Sequence, residues 1–282
     1  MTTEIILAPV GAGKTESILN RLAQTINEQP FAKVWALLAT KRQEDAFRQR
    51  LSEWDNERQV FFNVEFLNFY ELYQHLLDVA GVVQRQLGDS ARLNLLRTII
   101  SAMRHDLEVF GTIAHTPGFV RIVADFIYEL KQNGISPDDY VAASTTAKDR
   151  DLSRIYVVYQ EYLQNHNLVD REGQGWLAAT VLEEDTAITS DLSLLLVDGF
   201  DQFTSIQAEI LGHLAQRADD TLITLTRVTE REKTVGRRFE RALSRLKEQF
   251  GNDVLITERH LDHGDDGNHP DLRHLIDNIF LR

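Results

Sequence analysis

The chain has 282 residues, 43% of them hydrophobic, enough for one large domain or two modest ones around a packed core. It contains no cysteine, which excludes disulfides, cysteine zinc sites and thiolate-held iron–sulfur clusters within these residues. Its net charge of −13, from 43 acidic and 30 basic residues, has the wrong sign for a surface that grips nucleic-acid phosphates broadly, so any DNA contact must be local or shared with a partner.

The N-terminus carries Glu4 rather than a basic run, and no apolar stretch approaches the length of a membrane span. A cytoplasmic protein with no membrane contact is the expectation. Glu4 to Val10 is a short apolar run that breaks at Gly11, and Ile18, Leu19 and Leu22 then recur at helical spacing. This reads as strand, glycine turn, helix. Val34 to Ala39 predicts a second buried strand, followed by an amphipathic helix from Arg42 with Phe47, Leu51 and Trp54 on one face. Val60 to Phe66 predicts a third strand, and Phe69, Leu72, Leu76 and Leu77 a further helix. The pattern is that of a βαβ unit with a parallel sheet.

From Gln84 to Leu182 strand signals vanish and helical ones recur. Thr116 and Pro117 form an N-cap with proline at the first helical position, ahead of an apolar stripe of Phe119, Val123, Phe126, Ile127 and Leu130 that stops at Asn133-Gly134. Ser136-Pro137-Asp138-Asp139 repeats the start signal, with carboxylates where the helix dipole favours them. Ile155, Tyr156, Tyr159, Tyr162 and Leu163 line another helix. Arg85, Arg92, Arg97 and Arg104, some of them on one helical face, are read as a solvated face, with contact to DNA or a subunit as the alternative.

Strand character returns with Leu192 to Val197, a continuous apolar run suited to burial on both faces. Thr204 and Gln207 match a capping box that opens a helix with Ile206, Ile210, Leu211 and Leu214 inward. Thr221 to Thr226 and Val254 to Thr257 predict two more strands, separated by the basic amphipathic segment Arg237 to Phe250. The polar tail His260 to His269 reads as a loop whose histidines and aspartates follow no metal-ligand spacing.

Ala8-Pro9-Val10-Gly11-Ala12-Gly13-Lys14-Thr15 fits the phosphate-loop pattern G-x-x-x-x-G-K-[ST], with alanine in place of the first glycine. With a strand leading in and a helix leading out, it predicts a P-loop site for ATP, in which Gly11, Ala12, Gly13, Lys14, Thr15 and Glu16 surround the phosphates. Lys14 would neutralise the β and γ oxygens and Thr15 would place its hydroxyl on Mg²⁺. Leu192 to Val197 ending in Asp198 has the form of a strand whose terminal carboxylate holds the same Mg²⁺. Hydrolysing relatives of this arrangement usually carry glutamate next, to activate water, and here Gly199 follows. General-base assistance is worth typically about 10²- to 10⁴-fold, so ATP should bind and turn over slowly, unless Asp201 acts as a substitute base.

The pairing of this loop with Leu196-Val197-Asp198-Gly199-Phe200-Asp201-Gln202-Phe203-Thr204 resembles the B chain of AddAB-type helicase-nucleases, relatives of RecB and UvrD in helicase superfamily 1. The helix opened by Thr116-Pro117-Gly118-Phe119, and Leu168-Val169-Asp170-Arg171-Glu172-Gly173, resemble that family's helical insert. The resemblance implies a RecA-like P-loop domain made of residues 1–83 and 183–282, interrupted by an all-helical subdomain at 84–182. It implies a role in ATP-dependent processing of DNA double-strand ends alongside a motor subunit of the AddA type. It further implies that Thr40, Asn68 and Phe69 meet single-stranded DNA. The family continues into a second motor lobe and a nuclease domain that this sequence lacks, so a fragment or a truncated homologue is expected. A scaffold with a vestigial nucleotide site is the main alternative. A small-molecule kinase built on the same loop is disfavoured by the long insert.

Overall fold

The apolar run at the N-terminus forms β1 (Thr2–Ala8), and after a glycine-containing loop the chain enters α1 (Lys14–Glu28). Then follow β2 (Lys33–Leu38), α2 (Lys41–Trp54), β3 (Val64–Leu67) and α3 (Phe69–Val79). The computed structural model describes residues 2–54, 63–227, 233–251 and 254–259. Val60 to Phe62 and the histidine-rich tail from His260 therefore lie outside the described residues, as does the Trp54 side chain.

The middle of the chain contributes β4 (Arg85–Gln86), α4 (Asp89–Ala102), α5 (Pro117–Gln132), α6 (Pro137–Ala143), α7 (Ala147–Asn165), β5 (Leu168–Val169) and α8 (Arg171–Glu184). Next come β6 (Leu192–Asp198), α9 (Ser205–Ala215), β7 (Asp220–Thr226), α10 (Lys233–Phe250) and β8 (Val254–Glu258). Six strands form one sheet in the order β3-β2-β6-β7-β1-β8, and every neighbouring pair is parallel. Parallel neighbours need crossover connections, which the helices supply.

Residues of both parities are buried along the central strands, as a sheet covered on two faces requires. On one face Ile6, Ala8, Val34, Ala36, Leu38, Leu194, Leu196 and Leu222 pack against Ile18, Leu19, Leu22 and Ile26 of α1 and Phe47 and Leu51 of α2. Apart from Ile26, these helical residues belong to the stripes read from the sequence. The period-2 geometry of a strand puts Asp198 and Thr224 on this same face, at the C-terminal ends of β6 and β7.

The chain divides into two compact units: Met1–Leu72, Thr186–Phe203 and Ala208–Arg282 hold the large sheet, and Tyr73–Asp185 with Thr204–Gln207 form the second. Within the second unit the caps at Thr116 and Ser136 follow the sequence signals, and Thr146 adds one that was not read. Thr116 Oγ1 accepts the Phe119 N–H at 3.3 Å, and Ser136 and Thr146 each close a capping box, with Asp139 and Asp149 respectively. The helices meet at Asp170, whose carboxylate accepts Lys131 Nζ at 2.7 and 2.8 Å, the Tyr159 hydroxyl at 2.9 Å and the Gly173 N–H at 2.8 Å. Three helices, α5, α7 and α8, are thereby tied to one buried charge.

Three expectations need correction. The insert is not wholly helical, because β4 and β5 pair in parallel over two residues, Arg85↔Leu168 and Gln86↔Val169. Two residues carry too little periodicity to be seen in a sequence. Tyr162 is 38% exposed and stacks on His166, so it lies off the apolar stripe formed by Ile155, Tyr156, Tyr159 and Leu163. Arg92 is not on a solvated face: its side chain is mostly buried, 3.8 Å from Glu172. Among the described residues no helix is long and apolar enough to cross a membrane.

Candidate functional site

The loop between β1 and α1 holds Gly11 and Gly13 at φ +84° and +72°, left-handed conformations that an L side chain adopts only at a cost. A side-chain carbon on Gly13 would meet nothing within 4 Å, so the constraint there is backbone shape and open approach rather than packing. Gly13 is also the N-cap of α1, and no side chain caps the first turn. The first N–H groups of that helix therefore point out without a side-chain partner, which makes an electropositive cradle for an anion.

Lys14 opens the helix and folds back, its Nζ donating to the carbonyls of Ala8 at 3.0 Å and Pro9 at 2.8 Å. Burial pushes its pKa below the ordinary lysine value, and the Asp198 carboxylate opposes that shift. Thr15 Oγ1 donates to Asp198 Oδ2 at 2.9 Å. The sheet order makes this contact informative. Because β7 lies between β1 and β6, Asp198 is about two strand spacings, roughly 9–10 Å, from β1, and only a residue on the overhanging first turn of α1 reaches it.

The other carboxylate oxygen of Asp198 is engaged by the Thr224 hydroxyl from the intervening strand. The ladder β6·β7 pairs Val197 with Ile223, so the next pair along it is Asp198 with Thr224. Asp198 and Thr224 are both buried, at 8% and 2% exposure. Thr224 belongs to no sequence motif and was missed by motif reasoning. The signal that could have found it is a hydroxyl on the same strand face as Leu222, in a strand buried on both sides, where a polar group needs a partner.

Gly199 has φ +84°, and a side-chain carbon there would lie 2.5 Å from Gln43 Nε2. Gln43 is held in place by the start of α2: its Oε1 accepts the Thr40 N–H at 3.1 Å while its own N–H donates to Thr40 Oγ1 at 3.2 Å. Leu38 pairs with Asp198 across the β2·β6 ladder, which brings the N-terminus of α2 beside the Asp198-Gly199 turn. Thr40-x-x-Gln43 has the spacing of a capping box, a signal missed in reading the sequence, and nothing local places it over Gly199.

Asn68 opens α3 in the same manner, its Oδ1 accepting the N–H groups of Tyr70 at 2.9 Å and Glu71 at 3.1 Å, while Glu71 Oε2 accepts the Asn68 N–H at 2.8 Å. Thr40 is exposed and Asn68 partly so, whereas Phe69 is 3% exposed. Phe69 packs edge-on against Phe200 and Phe203, with ring centroids 5.2 and 6.2 Å away, and so presents no face to a ligand. Glu16 is exposed on the first turn of α1, and Asp201 is exposed three residues beyond Asp198. The geometry thus gathers Lys14, Thr15 and Asp198, adds Thr224 and Gln43, and leaves Thr40 and Asn68 as caps of neighbouring helices. Among the described residues no group of three or more histidines, aspartates and glutamates is placed to hold a metal ion.

The family described as "ADDB, N-terminal" matches residues 5–275 of this chain. The chain is similar to proteins named as the B subunits of ATP-dependent helicase/deoxyribonucleases. It is 25% identical over 235 residues to that of Lachnoclostridium phytofermentans, 29% over 241 residues to that of Moorella thermoacetica and 27% over 238 residues to that of Clostridium novyi. Each alignment covers 80% of this chain and 20% of the relative, so the chain spans about a fifth of the length of the curated relatives it matches.

Proposed function

We propose that this chain, which belongs to the ADDB, N-terminal family, is an ATP-binding P-loop domain of RecA-like type that holds its nucleotide and turns it over weakly. The observation that carries the reading is the hydrogen bond from Thr15 to Asp198, made across the width of an intervening strand by a helix whose N-terminus has no side-chain cap. A hydroxyl and a carboxylate side by side beneath uncapped N–H groups, with a lysine ammonium adjacent, are the donor set a magnesium-bound triphosphate needs. Gly11, Ala12, Gly13 and Glu16 would complete the loop around the phosphates. Lys14 would leave the carbonyls of Ala8 and Pro9 for the phosphate oxygens, and Thr15 and Asp198 would hold the Mg²⁺ that screens their charge.

Weak turnover follows from Gly199, where a side-chain base is absent and the Gln43 carboxamide occupies the adjoining space. A carboxamide orients water but accepts no proton. Asp201 is the remaining candidate base, from an exposed position. In this reading residues 1–83 and 183–282 form the nucleotide domain and 84–182 the insert. The chain serves a helicase-nuclease that processes broken DNA ends in the cytoplasm together with an AddA-type motor subunit, a role consistent with the names of its relatives. Thr40 and Asn68, as polar residues opening α2 and α3, are the positions through which single-stranded DNA would be met, with Phe69 supporting them from the core. The same Gly199–Gln43 packing favours the second reading, a scaffold that docks DNA and a motor with a vestigial nucleotide site.

Calorimetric titration with Mg-ATP separates the two. Binding by the wild-type chain that is lost in Lys14→Ala is the expected result. Equal heats, or no binding by either protein, would overturn the nucleotide-site reading and leave the scaffold.

A further inference from the structure

We propose that a cavity of about 510 Å³ in the helical unit is a docking socket for a partner protein segment that inserts an arginine side chain. All of its lining residues lie between Gln84 and Thr180, on α5, α6, α7, β5 and α8, the turns between them and the residue before β4, so the socket belongs to one compact unit. Its volume is in the range of clefts that bind small molecules, about 300–1,000 Å³, and so leaves room for one inserted side chain.

The chemistry of the lining selects the occupant. Val157, Leu177 and Trp176 give apolar wall, and the Trp176 ring is fixed by a 2.7 Å hydrogen bond from its N–H to the Lys131 carbonyl. Four lining residues are charged: Lys131, Asp138, Glu161 and Asp170. Lys131 and Asp170 are 1% exposed and bonded to each other, so neither offers charge to a newcomer. What remains is acidic. Asp138 and Glu161 are exposed and make no ion pair among the described residues, and neighbouring Asp139 is already engaged in capping Ser136. Gln160 also lines the cavity; its Oε1 is shut away from solvent and has no hydrogen-bond partner among the described residues, and a rotation of the side chain would bring this acceptor to a donor held in the socket.

An apolar wall, two carboxylates and an unused acceptor match an arginine. Its methylene stem covers apolar surface while its planar guanidinium offers donors in a fork that fits carboxylate geometry. A phosphodiester is repelled by the same two carboxylates, and a purely apolar ligand leaves Gln160 unpaired. The relatives are named as subunits, so a partner polypeptide is a natural source of the segment.

The probe is acetyl-Leu-Arg-Leu-amide, titrated into the ¹⁵N-labelled chain while the Trp176 indole N–H resonance is followed. The sequence has three tryptophans, so Trp176→Phe identifies the signal, and Trp35→Phe with Trp54→Phe identifies it by elimination should that variant not fold. The expected result is a saturable shift of the Trp176 signal, with affinity weakened at least about fivefold in the Asp138→Asn/Glu161→Gln double variant, whose changes are exposed. Acetyl-Leu-Glu-Leu-amide and an oligothymidylate should leave the signal in place. No shift with the arginine peptide, an equal shift with the glutamate peptide, or a shift with the oligonucleotide would each overturn the proposal.

Discussion

The carboxamide of Gln43 lies where the first side-chain carbon of residue 199 would be, 2.5 Å from Nε2 and 2.7 Å from Oε1. Two elements therefore cooperate at the turn after Asp198: the backbone of Gly199 takes a left-handed conformation, and the Gln43 side chain from the first turn of α2 fills the space that this glycine leaves. The absence of a carboxylate beside Asp198 is consequently built into the packing as well as written in one residue.

Restoring the carboxylate should meet both obstacles. Gly199→Glu is expected to lose about 1–2 kcal/mol through its positive φ, and about another 1 kcal/mol by pushing Gln43 off the Thr40 N–H. Combining it with Gln43→Ala should make the total smaller than the sum of the single changes. Urea unfolding of the four proteins measures this, and strict additivity would show that Gln43 does not feel residue 199.

Thr224 supplies the second hydroxyl to Asp198, so Thr224→Val removes one donor without changing shape. The expected cost in stability is about 1 kcal/mol, because a buried carboxylate oxygen loses a partner. Under the proposed function, the Mg²⁺ concentration needed for nucleotide binding should rise several-fold while metal-free ATP binding changes little. Titrating ATP at a series of Mg²⁺ concentrations reads the difference, and unchanged Mg²⁺ dependence would dismiss Thr224 as a positioning residue.

Asp170 gives the helical unit an acid limit. Burial alone would push its carboxyl up, but Lys131 beside it, with the donors Gly173 N–H and Tyr159 OH, holds it below the usual carboxylate range. A carboxylate depressed in the folded state contributes stability above its unfolded pKa of about 3.9, and that contribution is lost as pH falls through the folded value. Asp170→Asn should therefore flatten the acid limb of the unfolding profile. Lys131→Met strands the buried carboxylate and should cost about 3–5 kcal/mol at neutral pH. Thermal melts between pH 3 and 7 test both.

Glu172 behaves in the opposite sense, since burial raises its pKa and nearby Asp170 adds to the shift. A raised carboxyl pKa contributes stability below the unfolded value of about 4.3 and loses it as pH climbs through the folded one. The stability of Glu172→Gln relative to wild type should accordingly improve from pH 4 to pH 7. A flat difference over that range would mean that Glu172 titrates normally.

Much of the frame was legible because it rests on local rules. Alternating or continuous apolar runs marked β1, β2, β6, β7 and β8, 3.6-residue stripes marked α1, α2 and α5, and Thr116, Ser136 and Thr204 announced helix starts through side-chain capping that acts within three residues. Lys14, Thr15 and Asp198 were singled out by a loop pattern and a strand-end carboxylate, and the fold brings these three side chains together.

What the tertiary structure decided depends on neighbours distant in the chain. Strand order placed β7 between β1 and β6, and so made Thr224 a partner of Asp198 and required Thr15 to reach over it. The β2·β6 ladder carried Gln43 to Gly199, across more than 150 positions of sequence, and burial set Phe69 against Phe200 and Phe203 in an aromatic cluster. Hydrogen bonding within one helical turn is fixed by sequence spacing, whereas contacts across a sheet are fixed by which strands become neighbours, and that choice belongs to the packing of the whole core.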